Sequence, residues 1–212
     1  MGINSELSAL KNSAVRQKIM ESAFLVFAER GIEHVKMTDV AESTGIGVAT
    51  VYRYFGTKSE LVLAVGTWAW QQYITQIVST YDSSSSSARQ TFDFYLESFL
   101  DLYREHKDLL RFNQFFNSYV RGQKLSKASI TTYTEMIEGL EARFHRMYLK
   151  AKEDGTMRTD VPEREIFSTT LHLMLAAVTR YAVGLVYEGG SDPMQELLLL
   201  KRMLMREYAP EE

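Results

Sequence analysis

The sequence predicts an all-α protein, with an N-terminal three-helix domain built around a helix-turn-helix over residues 1–57 and a larger helical domain over residues 58–212. Three observations predict it. Apolar residues recur every three or four positions through almost every segment, the spacing of one helix face. No segment alternates with period two for long enough to demand a strand. Only 3 prolines occur in 212 residues, so few helix interiors are interrupted.

Composition prunes the alternatives. At 45% hydrophobic and 24% charged, the chain has the make-up of a soluble globular protein. No apolar run approaches the roughly 20 residues that span a bilayer. The first residues, MGINSELSALKNSAVRQ, lack an apolar signal core, so a cytoplasmic protein with no membrane partner is expected. Zero cysteines exclude disulfides, thiol catalysis and cysteine-bound zinc. The net charge is −3, and residues 1–60 hold seven Lys or Arg against seven Asp or Glu. Bulk electrostatics therefore argues neither for nor against nucleic acid, and placement of the few cations must decide.

In chain order, Ile19, Ala23 and Phe27, flanked by Met20 and Phe24, form an apolar stripe that predicts a helix over 15–30. Gly31 suits the left-handed position that commonly ends one. Short helices follow over 38–43 and 48–55, split by Thr44-Gly45-Ile46-Gly47. Thr57 and Glu60 have capping-box spacing and open a long helix through Trp68, Trp70 and Tyr73. Asp82 and the serines to Ser87 predict a flexible loop. Helices are then expected over 89–106, 107–120, 124–153, 162–187 and 193–208, the last opened by Asp192 as cap and Pro193.

Two short helices joined at a glycine and preceded by a supporting helix predict a DNA reader. Thr38 is expected to cap the first, with Val40 and Ala41 small enough for close packing, and Gly45 to supply the positive φ of the turn. Val51 and Phe55, four apart, should face inward, leaving Ala49, Thr50, Arg53 and Tyr54 outward with Val48 and Tyr52 at the edges. Such a helix fits the major groove.

FAERGIEHVKMTDVAESTGIGVATVYRYFGTKSELV resembles the N-terminal signature of the tetracycline-repressor family, at Phe27, Gly31, Thr38, Ala41, Gly45, the Ala49-Thr50-Val51-Tyr52 run, Phe55, Lys58 and Leu61. The resemblance spans roughly residues 15–65. It implies that Thr38, Thr50, Tyr52, Tyr54 and Lys58 touch the DNA backbone, while Gly47, Val48, Ala49 and Arg53 lie nearest the bases. It further implies a ligand-released repressor that binds a palindromic operator of double-stranded DNA as a homodimer.

Residues 60–190 are rich in large side chains at helical spacing. Singly they read as core; together they suit a pocket for a small lipophilic or aromatic effector. By resemblance the pocket lies between the helices opening near Thr57, Arg89, Lys124 and Pro162, with Trp68, Phe99, Tyr103, Phe116, Tyr119, Met136 and His172 as candidates. The helix from Thr57, starting at Lys58, would be the lever between effector and DNA. On the last helix the apolar arc exceeds one core-facing stripe. Leu197, Leu200 and Leu204 are expected to meet a second copy, together with Ala177, Tyr181 and Leu185 of the helix before. Burial of that arc within one chain is the alternative.

An enzyme finds little support. The histidines His34, His106, His145 and His172 are scattered, and no HExxH, GxSxG or phosphate-cradling glycine loop occurs. Glu141 and His145, four apart, suit a surface ion pair better than a metal site. No catalytic residue, metal or cofactor is expected. The competing reading is a helical adaptor that binds protein and has no DNA function.

Overall fold

The computed structural model describes residues 3–81, 85–123 and 127–209. Nine α-helices and one short 3-10 turn, without a strand, make up the described residues: α1 Ile3–Arg30, the turn Ile32–His34, α2 Met37–Thr44, α3 Val48–Tyr54, α4 Lys58–Ser79, α5 Ala88–Glu105, α6 Lys107–Gly122, α7 Lys127–Asp154, α8 Glu163–Ala182 and α9 Pro193–Tyr208. The start of the serine stretch and residues 124–126 lie outside the described residues.

Most of the expected boundaries hold within two residues, and the exceptions have local causes. α1 begins twelve positions earlier than its apolar stripe suggests. Polar residues precede the stripe, and periodicity is silent about a helix that is solvated all round. Gly31 does take positive φ, but at φ 80 and ψ 138 it leads into the 3-10 turn and is not a left-handed cap. α8 stops at Ala182, five residues short of the expectation, because Gly184 at φ 79 turns the chain away. Asp192 caps α9 as expected, its carboxylate accepting from the amides of Met194 (2.9 Å) and Gln195 (3.3 Å).

The helices gather into two compact units that are not contiguous in the chain: residues 1–72 with 111–133, and residues 73–110 with 134–212. The sequence draws a single division after residue 57. The difference arises because α6 supplies Phe112, Phe116 and Tyr119 to the core of the first unit, beside Phe27, Val40, Val51, Phe55 and Leu61. Ring contacts knit that core together, with Phe24–Phe112 at 5.5 Å and Phe112–Phe116 at 5.6 Å between centroids.

Gly66, in the interior of α4, has this core directly against its backbone. A Cβ built there would stand 2.6 Å from Cε2 of Phe116, which is itself fully buried. Overpacking of this kind costs about 1–3 kcal/mol, against the roughly 1 kcal/mol that alanine gains over glycine in a helix. Gly66→Ala is therefore expected to lower the thermal midpoint. A raised midpoint would show that Phe116 can yield.

In the second unit α5 packs on α8 and α9, and α8 on α9. Phe92, Leu96, Leu100, Phe144, Ile166, Met174, Val178, Leu197 and Leu204 are buried there. Lys201 ties α9 to α5, its ammonium 3.0 Å from Asp93 and 2.8 Å from Glu97. Burial pushes the Glu97 carboxyl up, but bonds from Lys201 and Arg104 outweigh it and hold the group below its ordinary value. Tyr148 pins the loop before α8 by donating to the carbonyls of Thr159 (3.1 Å) and Val161 (2.9 Å).

Candidate nucleic-acid interface

The α2–α3 corner is made by short-range chemistry. α2 is not capped by Thr38, which is the second residue of the helix. Asp39 does that work, its carboxylate accepting from the Lys36 amide at 2.7 Å, with Lys36 as the extended residue before the helix. Thr38 is exposed, so its hydroxyl is left for another partner. α2 ends at Gly45, left-handed at φ 66 and ψ 27, where its amide bonds back to Glu42 and the Ile46 amide to Ala41. The buried Thr44 hydroxyl donates to the carbonyls of Val40 and Ala41, so this buried side chain carries no unmet polar group.

α3 then presents two faces. Val51 is fully buried and Phe55 nearly so, as their four-residue spacing predicts. Gly47, Val48, Ala49, Tyr52 and Arg53 are exposed, and Thr50 and Tyr54 are half-buried. Tyr52 stands 49% exposed and Val48 38%, so the turn leaves bulky apolar surface in water on a seven-residue helix. Such surface is available to a partner, and groove walls with thymine methyls are one that suits it.

α4 opens directly behind. Thr57 Oγ1 accepts from the Glu60 amide at 3.1 Å, while Glu60 reaches back to the Gly56 amide at 3.0 Å, one residue earlier than the usual reciprocal bond. Lys58, the first residue of α4, is half-buried between two supports. Its ammonium donates to the Glu33 carbonyl at 3.4 Å and stands 5.7 Å from the Tyr119 ring centroid. Burial pulls its pKa below the ordinary lysine value, partly offset by Glu33 and Asp39. Next to it, Ser59 Oγ and Tyr119 Oη are bonded at 3.0 Å.

All nine positions expected to meet DNA thus lie on α2, on α3 and the Gly47 that precedes it, and at the start of α4 in one unit, and none is buried. Sequence reasoning missed the supports, namely Asn12, Arg16, Asp39, Glu33 and Ser59. Asp39, an acid in the first turn of a helix, was the legible signal among them.

The other expected sites are distributed less simply. Trp68, Phe116 and Tyr119 belong to the first unit, and Phe99, Tyr103, Met136 and His172 to the second. Phe116 and Tyr119 are buried in the first unit's own core, and His172 is exposed. Phe99, Tyr103 and Met136 are half-buried, Tyr103 with its ring 6.3 Å from that of Tyr181 and 4.6 Å from the Lys107 ammonium.

On α9, Leu197 and Leu204 face the interior of their own unit, so for these two the alternative of burial within one chain is what the structure has. Ala177, Tyr181 and Leu200 are half-buried and Leu185 is exposed. Tyr181 is hydrogen-bonded to Glu196. His145 pairs with Glu163 at 2.9 Å, across to α8, and not with Glu141 on its own helix. Among the described residues no group of three or more His, Asp or Glu is placed to hold a metal.

A supporting helix, a left-handed glycine corner and a short helix with an exposed apolar and basic face define a helix-turn-helix domain. Comparison with known proteins agrees. Residues 19–65 match the family described as "Bacterial regulatory proteins, tetR family", so this domain is one of that family's kind. It is similar to the HTH-type transcriptional regulator SAR2658 of Staphylococcus aureus (strain MRSA252), with 34% identity over 109 residues. That stretch is 50% of this chain and 57% of the relative, so the chain spans little more than half the length of the curated regulator it matches.

Among solved structures, a putative transcriptional regulator from Saccharomonospora viridis has TM-score 0.76 at 16% identity, covering 92% of this chain and 96% of that one. FadR from Bacillus subtilis has TM-score 0.71 at 16% identity, covering 89% and 96%. At this identity the likeness establishes the fold, an N-terminal helix-turn-helix followed by a helical C-terminal domain.

Proposed function

We propose that the chain is a DNA-binding transcriptional regulator, a homodimer that holds a palindromic operator through α3 and lets go when a small effector binds. The observation that carries this reading is the exposed face of α3. Val48, Ala49, Tyr52 and Arg53 stand in solvent, while Val51 and Phe55 of the same turns anchor the helix in the core. Val48 and Ala49 suit thymine methyls, Arg53 suits guanine or phosphate, and Thr38, Thr50, Tyr52, Tyr54 and Lys58 suit the backbone. The release step needs an effector that binds the DNA-incompetent state better, and its effect is bounded by that difference in affinity.

The effector is small and lipophilic or aromatic. Support comes from the second unit, where Phe92, Tyr95, Phe144 and Phe167 form a chain of ring contacts, Phe144–Phe167 at 5.2 Å being the nearest. On α8 the buried hydroxyl of Thr170 has no hydrogen-bond partner among the described residues, and a ligand polar group would supply one. Phe99, Tyr103 and Met136 remain the candidates to line such a site. The two fold neighbours were solved with chemically different guests, stearoyl-CoA for the Bacillus subtilis protein and choline for the Saccharomonospora viridis protein. A thermal-shift panel should therefore include long-chain acyl compounds as well as quaternary amines.

Purified protein incubated with fragmented genomic DNA should retain fragments sharing a palindrome, with half-sites about 34–36 Å apart or a multiple of that. Lys58→Ala and Tyr54→Ala are each expected to weaken operator binding about tenfold or more, the worth of one charged or well-placed backbone contact. Helix content should be unchanged. If both variants bind as wild type does, the assignment of these contacts fails. Failure to retain any fragment, before and after refolding to strip bound ligand, would end the regulator reading.

A further inference from the structure

Upstream of the family match, α1 carries a cation that the helix-turn-helix reading does not use. The Arg16 guanidinium carbon stands 4.7 Å from the centroid of the Phe55 ring, and its Nη1 is 3.4 Å from Met20 Sδ. One turn earlier, Asn12 Oδ1 accepts a hydrogen bond from Tyr54 Oη at 2.9 Å. Two consecutive turns of α1 therefore seat on the last two residues before the Gly56 corner, beside the proposed DNA contacts Tyr54 and Lys58.

Neither neighbour of Arg16 is an anion. An aromatic face holds a guanidinium by its quadrupole and by stacking, and leaves most of the five N–H donors unspent. Arg53 is treated alike, 5.5 Å from the Tyr54 ring. Arg30 is the contrast, with its charge engaged by Asp39 at 3.5 Å. Arg16 is exposed, so its charge is both anchored and available. In a first domain whose formal charges balance, Arg16 lies over Phe55 and Arg53 by Tyr54, while Lys58, three residues beyond Phe55, is held by the Glu33 carbonyl and the Tyr119 ring; among the described residues none of the three has a carboxylate partner at salt-bridge distance.

We propose that Arg16 is a further DNA-contacting residue, its guanidinium taking a backbone phosphate next to those met by Tyr54 and Lys58, with Asn12 as a positioning residue that fixes Tyr54. This rests on the DNA-binding reading above. Planar bidentate geometry matches a phosphate's paired oxygens, which favours arginine over lysine at such a place. α1 then serves as a fourth DNA-facing element beside α2, α3 and the start of α4, through a residue that lies outside 19–65.

The rival role is a lid over Phe55, and charge separates the two. Arg16→Met keeps an aliphatic cover on the ring and removes the cation; Arg16→Lys keeps a cation. Each is compared with wild type and Lys58→Ala on the wild-type operator fragment, from about 50 to about 200 mM salt, with thermal midpoints measured in parallel. Each phosphate contact contributes about 0.9 to the slope of log K on log salt. Arg16→Met is expected to lose about that much slope per bound subunit, with roughly tenfold weaker binding at low salt, while Arg16→Lys keeps the slope. Wild-type slope and affinity in Arg16→Met overturn the proposal. So does weaker binding with an unchanged slope and a lowered midpoint, since only the lid was then lost. Should Lys58→Ala alone change the slope, Arg16 falls and the DNA reading stands. Should wild type bind no DNA, both fall together.

Discussion

Phe112→Ala is expected to lower the stability of the first unit by about 3–5 kcal/mol, the usual cost of emptying a buried phenylalanine site. The residue is fully buried and touches three other rings, Phe24 at 5.5 Å, Phe116 at 5.6 Å and Phe27 at 6.5 Å between centroids. Aromatic pairs add about 0.5–1.5 kcal/mol beyond burial, so their loss places the cost toward the upper end. The site cannot collapse easily. Phe27 and Phe24 are fixed on α1, and Phe116 is already held against Gly66 of α4. Urea unfolding followed by the fluorescence of Trp68 and Trp70, both on α4 within this unit, reads the change. A loss below about 1 kcal/mol would mean that the neighbouring rings fill the void. The same variant should weaken DNA binding at temperatures where the wild type is folded, because α2 and α3 lean on this core.

This core also marks how far the sequence can be read. The α2–α3 corner was legible because its signals are local: Gly45 must turn, and Val51 and Phe55 must share a face. Asp192 and Pro193 announced α9 in the same way. Helix periodicity says that a face is apolar, but not what covers it. Phe112, Phe116 and Tyr119 therefore read equally well as pocket or core, and Phe116 and Tyr119 were placed in a pocket. Likewise, the wide arc of α9 could not say which edge turns inward. Its orientation follows from Lys201, an i+4 neighbour of Leu197, whose ammonium is met by Asp93 and Glu97 on α5. With that cation facing α5, Leu197, Leu204 and Tyr208 go inward too, and the other edge of the arc is left outside. Thr38 was misread as a cap because two residues near a helix start could do the job, and Asp39 has the better geometry. Arg16 lay just ahead of the apolar stripe and carried no periodic signal at all.

The second large effect concerns that outer edge. Leu199 and Met203, four apart on α9, are 50% and 58% exposed, and Leu173 on α8 is 46% exposed, with Ala176 exposed one turn on. α8 packs on α9 within one unit, so these side chains belong to a pair of adjoining helices that a second copy could meet with the same pair, as a twofold interface requires. Leu199→Glu with Met203→Glu puts two carboxylates on each copy of the proposed contact. Twofold symmetry then sets four like charges into a surface losing its water, a cost of several kcal/mol. The double variant is expected to sediment as a monomer at micromolar concentration, with helix content unchanged because both side chains stand in solvent in the single chain. Operator affinity should fall at least about a hundredfold, since one reading helix must then hold a site built for two. The same substitutions at Leu197 and Leu204 should instead unfold the second unit, because those positions are buried in it. A double variant that remains dimeric and keeps its operator affinity would place the interface elsewhere, and the exposed segment after α8 around Leu185, Val186 and Tyr187 would be the next face to charge.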